Sequence, residues 1–136
     1  HTAAFDVWQT SAHKLHKQPR CILISVCQGL DVFAENGRIA VELFKNHEEG
    51  YYDAILMDMR MPEMDGLEAT RRIRAMERLD AKKIPIIALT ANAFDEDVQR
   101  SLQVGMDAHL SKPVDPECLY QTLEELIWEY SQTRSL

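Results

Sequence analysis

The chain has 136 residues, 46% hydrophobic and 27% charged, which suits one globular domain whose core needs no disulfide or metal staple. Its net charge of −7 argues against a general nucleic-acid binder, whose surface is basic. Cys21, Cys27 and Cys118 show no CxxC spacing and read as reduced thiols in a cytoplasmic protein, while the longest dense apolar run, CILISVC, is far too short to cross a bilayer.

Residues 1–28 carry a net +2 and residues 29–136 a net −9, so 1–28 stands apart as an atypical N-terminal segment. No charged start, apolar run and small-residue cleavage site follow one another there, which argues against secretion. His13 and His16 have a spacing that could hold a metal on a helix, but no third ligand accompanies them and a surface role is the simpler reading. Two threadings of the segment are open. In one, CILISV is the first strand; the next strand near Leu30 then follows too soon for a crossover helix, so a parallel neighbour is not expected. In the other, which topology favours, TAAFDVW is a short strand and residues 10–28 form a helix broken at Pro19. Foreign sequence, from a fusion junction or an altered reading frame, is a further explanation of the shift.

From residue 30 onward strands and helices alternate. LDVFAENG is a short strand closed by the turn dipeptide Asn36-Gly37. RIAVELFKNH puts Ala40, Leu43 and Phe44 on one helical face. YDAILMD is a continuous apolar strand of the kind buried on both sides in parallel sheets. Asp65 and Glu68 form a capping-box pair before a helix lined by Leu67, Ile73 and Met76. IPIIALTA is a second buried strand, with Pro85 tolerable at its start. Phe94, Val98 and Leu102 line a helix that opens on Asp95-Glu96-Asp97 and ends near Gly105. DAHL is a short strand. Asp115 caps, and Pro116 begins, a helix with the apolar stripe Leu119, Leu123, Leu126 and Ile127.

This order specifies an α/β fold, a doubly wound parallel sheet with helices on both faces. Every strand of such a sheet ends on the same rim, so Asp58, Thr90 and Lys112 converge there although they are far apart in sequence. A carboxylate can be a nucleophile, metal ligand or base. Facing a hydroxyl and a fixed cation, it matches what a transferring phosphoryl group needs. Singly, each residue has a plainer role as a loop cap, a satisfied hydroxyl or a surface lysine; the signal is joint. Met57, Met59, Met61 and Met64 read as gap-filling packing, and the RRIR run at 71–74 as a solvated helix face.

The stretches ILMDMRMPEMDGLEATRRIR, PIIALTANAF and GMDAHLSKPVDPECLYQTL resemble the receiver domains of two-component response regulators, of the kind carried by hybrid sensor histidine kinases. The resemblance covers roughly residues 29–130, leaving 131–136 as a tail. It implies a flavodoxin-like receiver fold, with Asp58 as phosphoacceptor taking its group from a phosphohistidine. It makes Thr90 the switch hydroxyl beside Ala91, Lys112 the phosphate-contacting lysine before a cis bond to Pro113, and His109 a switch position, otherwise simply a partly buried histidine. It also implies Mg²⁺, held by Asp58 and the backbone carbonyl of Arg60. In the family, phosphorylation remodels the face made by the fourth helix, fifth strand and fifth helix. The implied partner is a histidine kinase or histidine phosphotransfer protein, met by a monomer or weak dimer with no direct nucleic-acid contact and no membrane segment. As the sequence stops soon after the last helix, output is expected through protein contact or onward phosphotransfer.

The pattern breaks at one place. Receiver domains open with a strand ending in two adjacent acids that coordinate Mg²⁺, and no such pair precedes Asp31. Asp6 is the one acid left as a candidate ligand. A hard cation on a single carboxylate binds weakly, so phosphorylation is expected to be slowed. The resemblance therefore supports a phosphoacceptor module that assists its own transfer and hydrolysis and is not a turnover enzyme. The alternative is a pseudo-receiver that binds partners through His109 and the last helix, with Tyr120 or Trp128 as anchors. An aspartyl-nucleophile hydrolase is weaker, as the second acid expected beside the nucleophile is missing.

Overall fold

The runs Ala54–Met57 and Ile86–Leu89 have no polar face to turn to water, so each needs strand neighbours on both edges and helices on both sides. The computed structural model, which describes residues 21–24, 33–34, 37–59, 64–91 and 96–134, gives them both. In chain order the elements are β1 (Cys21–Ile24), β2 (Phe33–Ala34), α1 (Gly37–Asn46), β3 (Ala54–Asp58), α2 (Gly66–Arg74), α3 (Leu79–Lys83), β4 (Ile86–Thr90), α4 (Glu96–Gln103), β5 (Ala108–Ser111) and α5 (Pro116–Arg134). The sheet order is β2-β1-β3-β4-β5 with every pairing parallel. β3 and β4 are buried along their whole length. Side chains that alternate across them feed two cores. Ile55, Met57, Ile86 and Ala88 pack with Ala40 and Phe44 of α1, Ala69 and Ile73 of α2 and Ala81 of α3. Ala54, Leu56, Ile87 and Leu89 pack with Leu119, Leu123 and Ile127 of α5. This is the doubly wound architecture expected from the sequence.

The favoured threading of the N-terminal segment is corrected. Cys21–Ile24, assigned there to a helix, is a strand paired with both β2 and β3; TAAFDVW lies outside the described residues. The topological objection to this strand assumed a full crossover helix. Here Leu23 lies opposite Phe33 and Ile24 opposite Ala34, so the chain has to step back by little more than one residue and across by one strand spacing. Residues 25–32, at roughly 3.3–3.6 Å of reach per residue, span that gap easily. A dozen residues is what a helical crossover needs, not a geometric minimum.

Local chemistry sets the helix ends. Asp65 caps α2 by accepting from the Glu68 backbone N–H at 2.9 Å, and Glu68 pairs with Arg71 and Arg72. Gly105 follows α4 with φ +101°, the left-handed conformation that favours glycine. Leu102, expected on the buried face of α4, is 52% exposed. Val98 and Ser101 face inward instead, and the Ser101 hydroxyl can be buried because it donates to the Val98 carbonyl at 2.6 Å.

Helix α3 was not legible in the sequence, and long-range polar contacts hold it. The Glu49 carboxylate accepts from the backbone N–H groups of Leu79 and Asp80. Arg78 donates to both Asp80 oxygens at 3.0 and 2.9 Å and to the carbonyls of Phe44 and His47 at 2.9 and 3.0 Å. Its guanidinium also stacks 4.5 Å over the Phe44 ring. Asp80 has a side chain only 2% exposed, so removal of Arg78 leaves a buried charge uncompensated. Arg78→Ala is expected to lower stability by about 3–5 kcal/mol, read as a shift of the urea midpoint at unchanged slope.

Candidate functional site

Strand register builds the site one residue at a time. Asp58, the last residue of β3, lies opposite Leu89, and Thr90 is the next residue of β4. Thr90 lies opposite Ser111 of β5, and Lys112 follows, its N–H donating to the Thr90 carbonyl at 2.8 Å. The Met59 N–H donates to the Leu89 carbonyl at 3.1 Å and pins the chain just past Asp58. The carboxylate, the hydroxyl and the ammonium therefore end on one edge, as expected from a parallel sheet.

The chemistry of that edge is set by burial. The Asp58 side chain is 1% exposed and the Lys112 side chain 35%. Lys112 Nζ donates to Asp58 Oδ2, a charge-assisted bond that makes a buried carboxylate tolerable. Lysine suits the role because its flexible four-carbon stem carries a compact charge to the carboxylate. Thr90 is 2% exposed, and its Oγ1 makes no hydrogen bond among the described residues. A buried hydroxyl without a partner costs stability, and this one stands at the edge where Asp58 and Lys112 meet.

The other expected site residues are distributed differently. Ala91 is exposed and lacks bulk beside Thr90. His109 lies on β5 with its side chain exposed, not partly buried. The Lys112–Pro113 peptide bond is cis. Arg60 and Asp6 lie outside the described residues. No three His, Cys, Asp or Glu side chains converge as metal ligands among the described residues. Asp58 is bonded to a cation already, and Ser25-Val26-Cys27, which follow β1 in the sequence, contain no carboxylate. The described residues thus do not fit a Mg²⁺ site, since a hard cation needs several oxygen ligands. Elsewhere on the surface, a hydrogen bond to Asp115 and its charge push the exposed Cys118 thiol up, which disfavours the reactive thiolate. Two residues escaped the sequence reading: Gly37, read only as part of a turn dipeptide, and Gly66, given no role, each lie against backbone at this edge.

A family model described as "Response regulator receiver domain" matches residues 16–124. Among curated proteins, "Hybrid signal transduction histidine kinase I" of Dictyostelium discoideum is 38% identical over 106 residues, covering 76% of this chain and 6% of that protein. "Histidine kinase 3" of Arabidopsis thaliana is 38% identical over 126 residues, covering 79% of this chain and 12% of that protein. The chain therefore spans a small part of the length of these relatives. Among solved structures, the receiver domain of a sensor histidine kinase from Pseudomonas aeruginosa PAO1 superposes with a TM-score of 0.67 at 36% identity, covering 81% of this chain and 98% of that one. That structure has a magnesium ion coordinated in its active-site cleft. A chemotaxis response regulator of Vibrio cholerae superposes with a TM-score of 0.69 at 26% identity, covering 81% and 99%.

The solitary Thr90 hydroxyl generates a prediction about stability. Thr90→Val keeps the shape and removes the unpartnered oxygen, so the variant should melt at or above the wild-type temperature, with a gain of up to about 1 kcal/mol. A loss of more than that in calorimetry would mean that the hydroxyl serves the fold.

Proposed function

The chain belongs to the response regulator receiver domain family, and from that premise we propose that it is a phosphoacceptor module whose Asp58 takes a phosphoryl group from a phosphohistidine. The observation that carries the reading is the shared strand-end edge: a buried carboxylate bonded to Lys112, next to a buried threonine hydroxyl that has no partner among the described residues. In the transfer, an Asp58 oxygen attacks phosphorus and an O–P bond forms. The N–P bond of the donor breaks, its electron pair stays on the imidazole nitrogen, and that nitrogen takes up a proton from solvent.

Lys112 covers Asp58 in the resting state, so its ammonium has to swing from the carboxylate onto the incoming phosphoryl oxygens. It thereby exchanges one anion for another without leaving the site. The Thr90 hydroxyl supplies a second donor. Such donors act where charge develops and are worth roughly 10²–10³ in rate when removed one at a time.

The donor partner is a histidine kinase or a histidine phosphotransfer protein. The module works as a monomer or weak dimer in the cytoplasm, in keeping with the exposed free thiol of Cys118, and touches no nucleic acid. His109 lies on the surface that would report phosphorylation to a partner. A second reading, a pseudo-receiver that binds partners without phosphate, draws support from the missing metal ligands and from Trp128, 45% exposed on α5.

Acetyl phosphate separates the two readings. With millimolar Mg²⁺, intact-mass spectrometry should detect one added phosphoryl group on the wild type and none on Asp58→Asn. Lys112→Ala should label at least about tenfold more slowly, and EDTA should slow the wild type only slightly. An unlabelled wild type would refute the phosphoacceptor reading, and equal partner binding by wild type and Asp58→Ala would favour the pseudo-receiver.

A further inference from the structure

Gly37 and Gly66 are the first residues of α1 and α2, and both are buried. The glycines with positive φ are Gly50 and Gly105; the backbone at Gly37 and Gly66 is one that any residue adopts. Within a helix, glycine is about 1 kcal/mol less favourable than alanine. Conformational freedom therefore does not account for glycine at these two positions. Space does.

A Cβ on Gly66 would stand 2.7 Å from the Asp58 carbonyl oxygen, 3.0 Å from Met57 Cγ and 3.3 Å from Met59 Cα. The start of α2 thus rests directly on the backbone that carries the Asp58 side chain. A Cβ on Gly37 would stand 2.6 Å from the Met64 carbonyl oxygen, 3.0 Å from Ala69 Cβ and 3.2 Å from the Asp65 carbonyl oxygen. The Gly37 N–H also donates to that Met64 carbonyl at 3.1 Å. The contacts run in series: α1 presses on residues 64 and 65 just before Gly66, and Gly66 presses on Asp58. Four of the six close atoms, including the nearest at each glycine, are backbone, which yields less than the end of a flexible side chain. Asp58 is held from the other side by the β4 ladder, so an added methyl group has to move either α2 or the strand end.

We propose that Gly66, backed by Gly37, is a positioning residue for Asp58: the start of α2 lies against the end of β3, the start of α1 lies against the residues just before Gly66, and together they set where the Asp58 carboxylate meets Lys112. The device acts through backbone contact and touches no substrate. Its importance for phosphotransfer rests on the reading above, but the ion pair it positions belongs to the unphosphorylated chain and does not depend on that reading.

The test is the ¹³Cγ chemical shift of the Asp58 carboxylate in the full chain, assigned by its loss in Asp58→Asn, with Lys112→Ala marking the position for a broken ion pair. Gly66→Ala should move the signal toward the Lys112→Ala position. Gly37→Ala, one contact further away, should move it the same way by less. Leu123→Ala, which weakens the opposite core under α5, should leave it at the wild-type position despite lowering the melting temperature. An unmoved signal in folded Gly66→Ala, or an equal shift in Leu123→Ala, overturns the proposal. If Gly66→Ala does not fold, Gly37→Ala decides alone, and an unmoved signal there overturns it. If acetyl phosphate labels the wild type, Gly66→Ala should also slow the maximal rate roughly tenfold or more with little change in KM, a split that global destabilisation does not produce.

Discussion

An aspartate at the end of a buried strand, 1% exposed, is costly to bury unless a partner is at hand. Lys112 is that partner, from the neighbouring strand end but one, and the rest of the molecule serves to keep that meeting possible. A lysine that was rigid or fully buried would hold the carboxylate permanently. At 35% exposure the Lys112 side chain is not sealed in, and under the proposed function its ammonium would pass from the carboxylate to the incoming anion. Buried pairs of this kind add little net stability, because desolvation cancels most of the attraction. The pair is better understood as a functional group maintained by the fold than as a support of it.

The support comes from elsewhere. Two apolar cores sandwich the sheet, and the polar clamps lie away from the reactive edge. Arg78 ties α3 to Asp80 and to the last turn of α1. Arg74 at the end of α2 donates to the Gly105 carbonyl and to Asp107, and Asp107 in turn accepts from the Ile86 N–H at the start of β4. These clamps fix the strand beginnings while the strand ends carry the chemistry. The division has a physical basis. Satisfied polar networks rigidify their surroundings, whereas a reactive edge needs a hydroxyl and an ammonium free to change partners.

The chain departs from its family's sequence pattern where a metal would be held. The receiver domain from Pseudomonas aeruginosa carries magnesium in its cleft; here the described residues bring one carboxylate to the corresponding edge, and that one is paired with lysine. The short link between β1 and β2 belongs to the same departure, since the sequence passes from one strand to the other within residues 25–32.

By itself the sequence determined the α/β order from residue 30 onward, the buried strands and the rim residues Asp58, Thr90 and Lys112, because these follow from hydrophobic periodicity and from the rule that parallel strands end on one side. The cap at Asp65 was also legible, since its partner lies three residues away. What required the tertiary structure were the features made by distant contacts. The place of Cys21–Ile24 in the sheet depended on register with two other strands. Helix α3 depended on Glu49 and Arg78, and the exposure of His109 and Leu102 on how their elements pack. Gly37 looked like half of a turn, and Gly66 had no role at all, because a dipeptide records local conformation only. Their role is room for another segment's backbone, and a sequence carries no local mark of what will lie against it after folding.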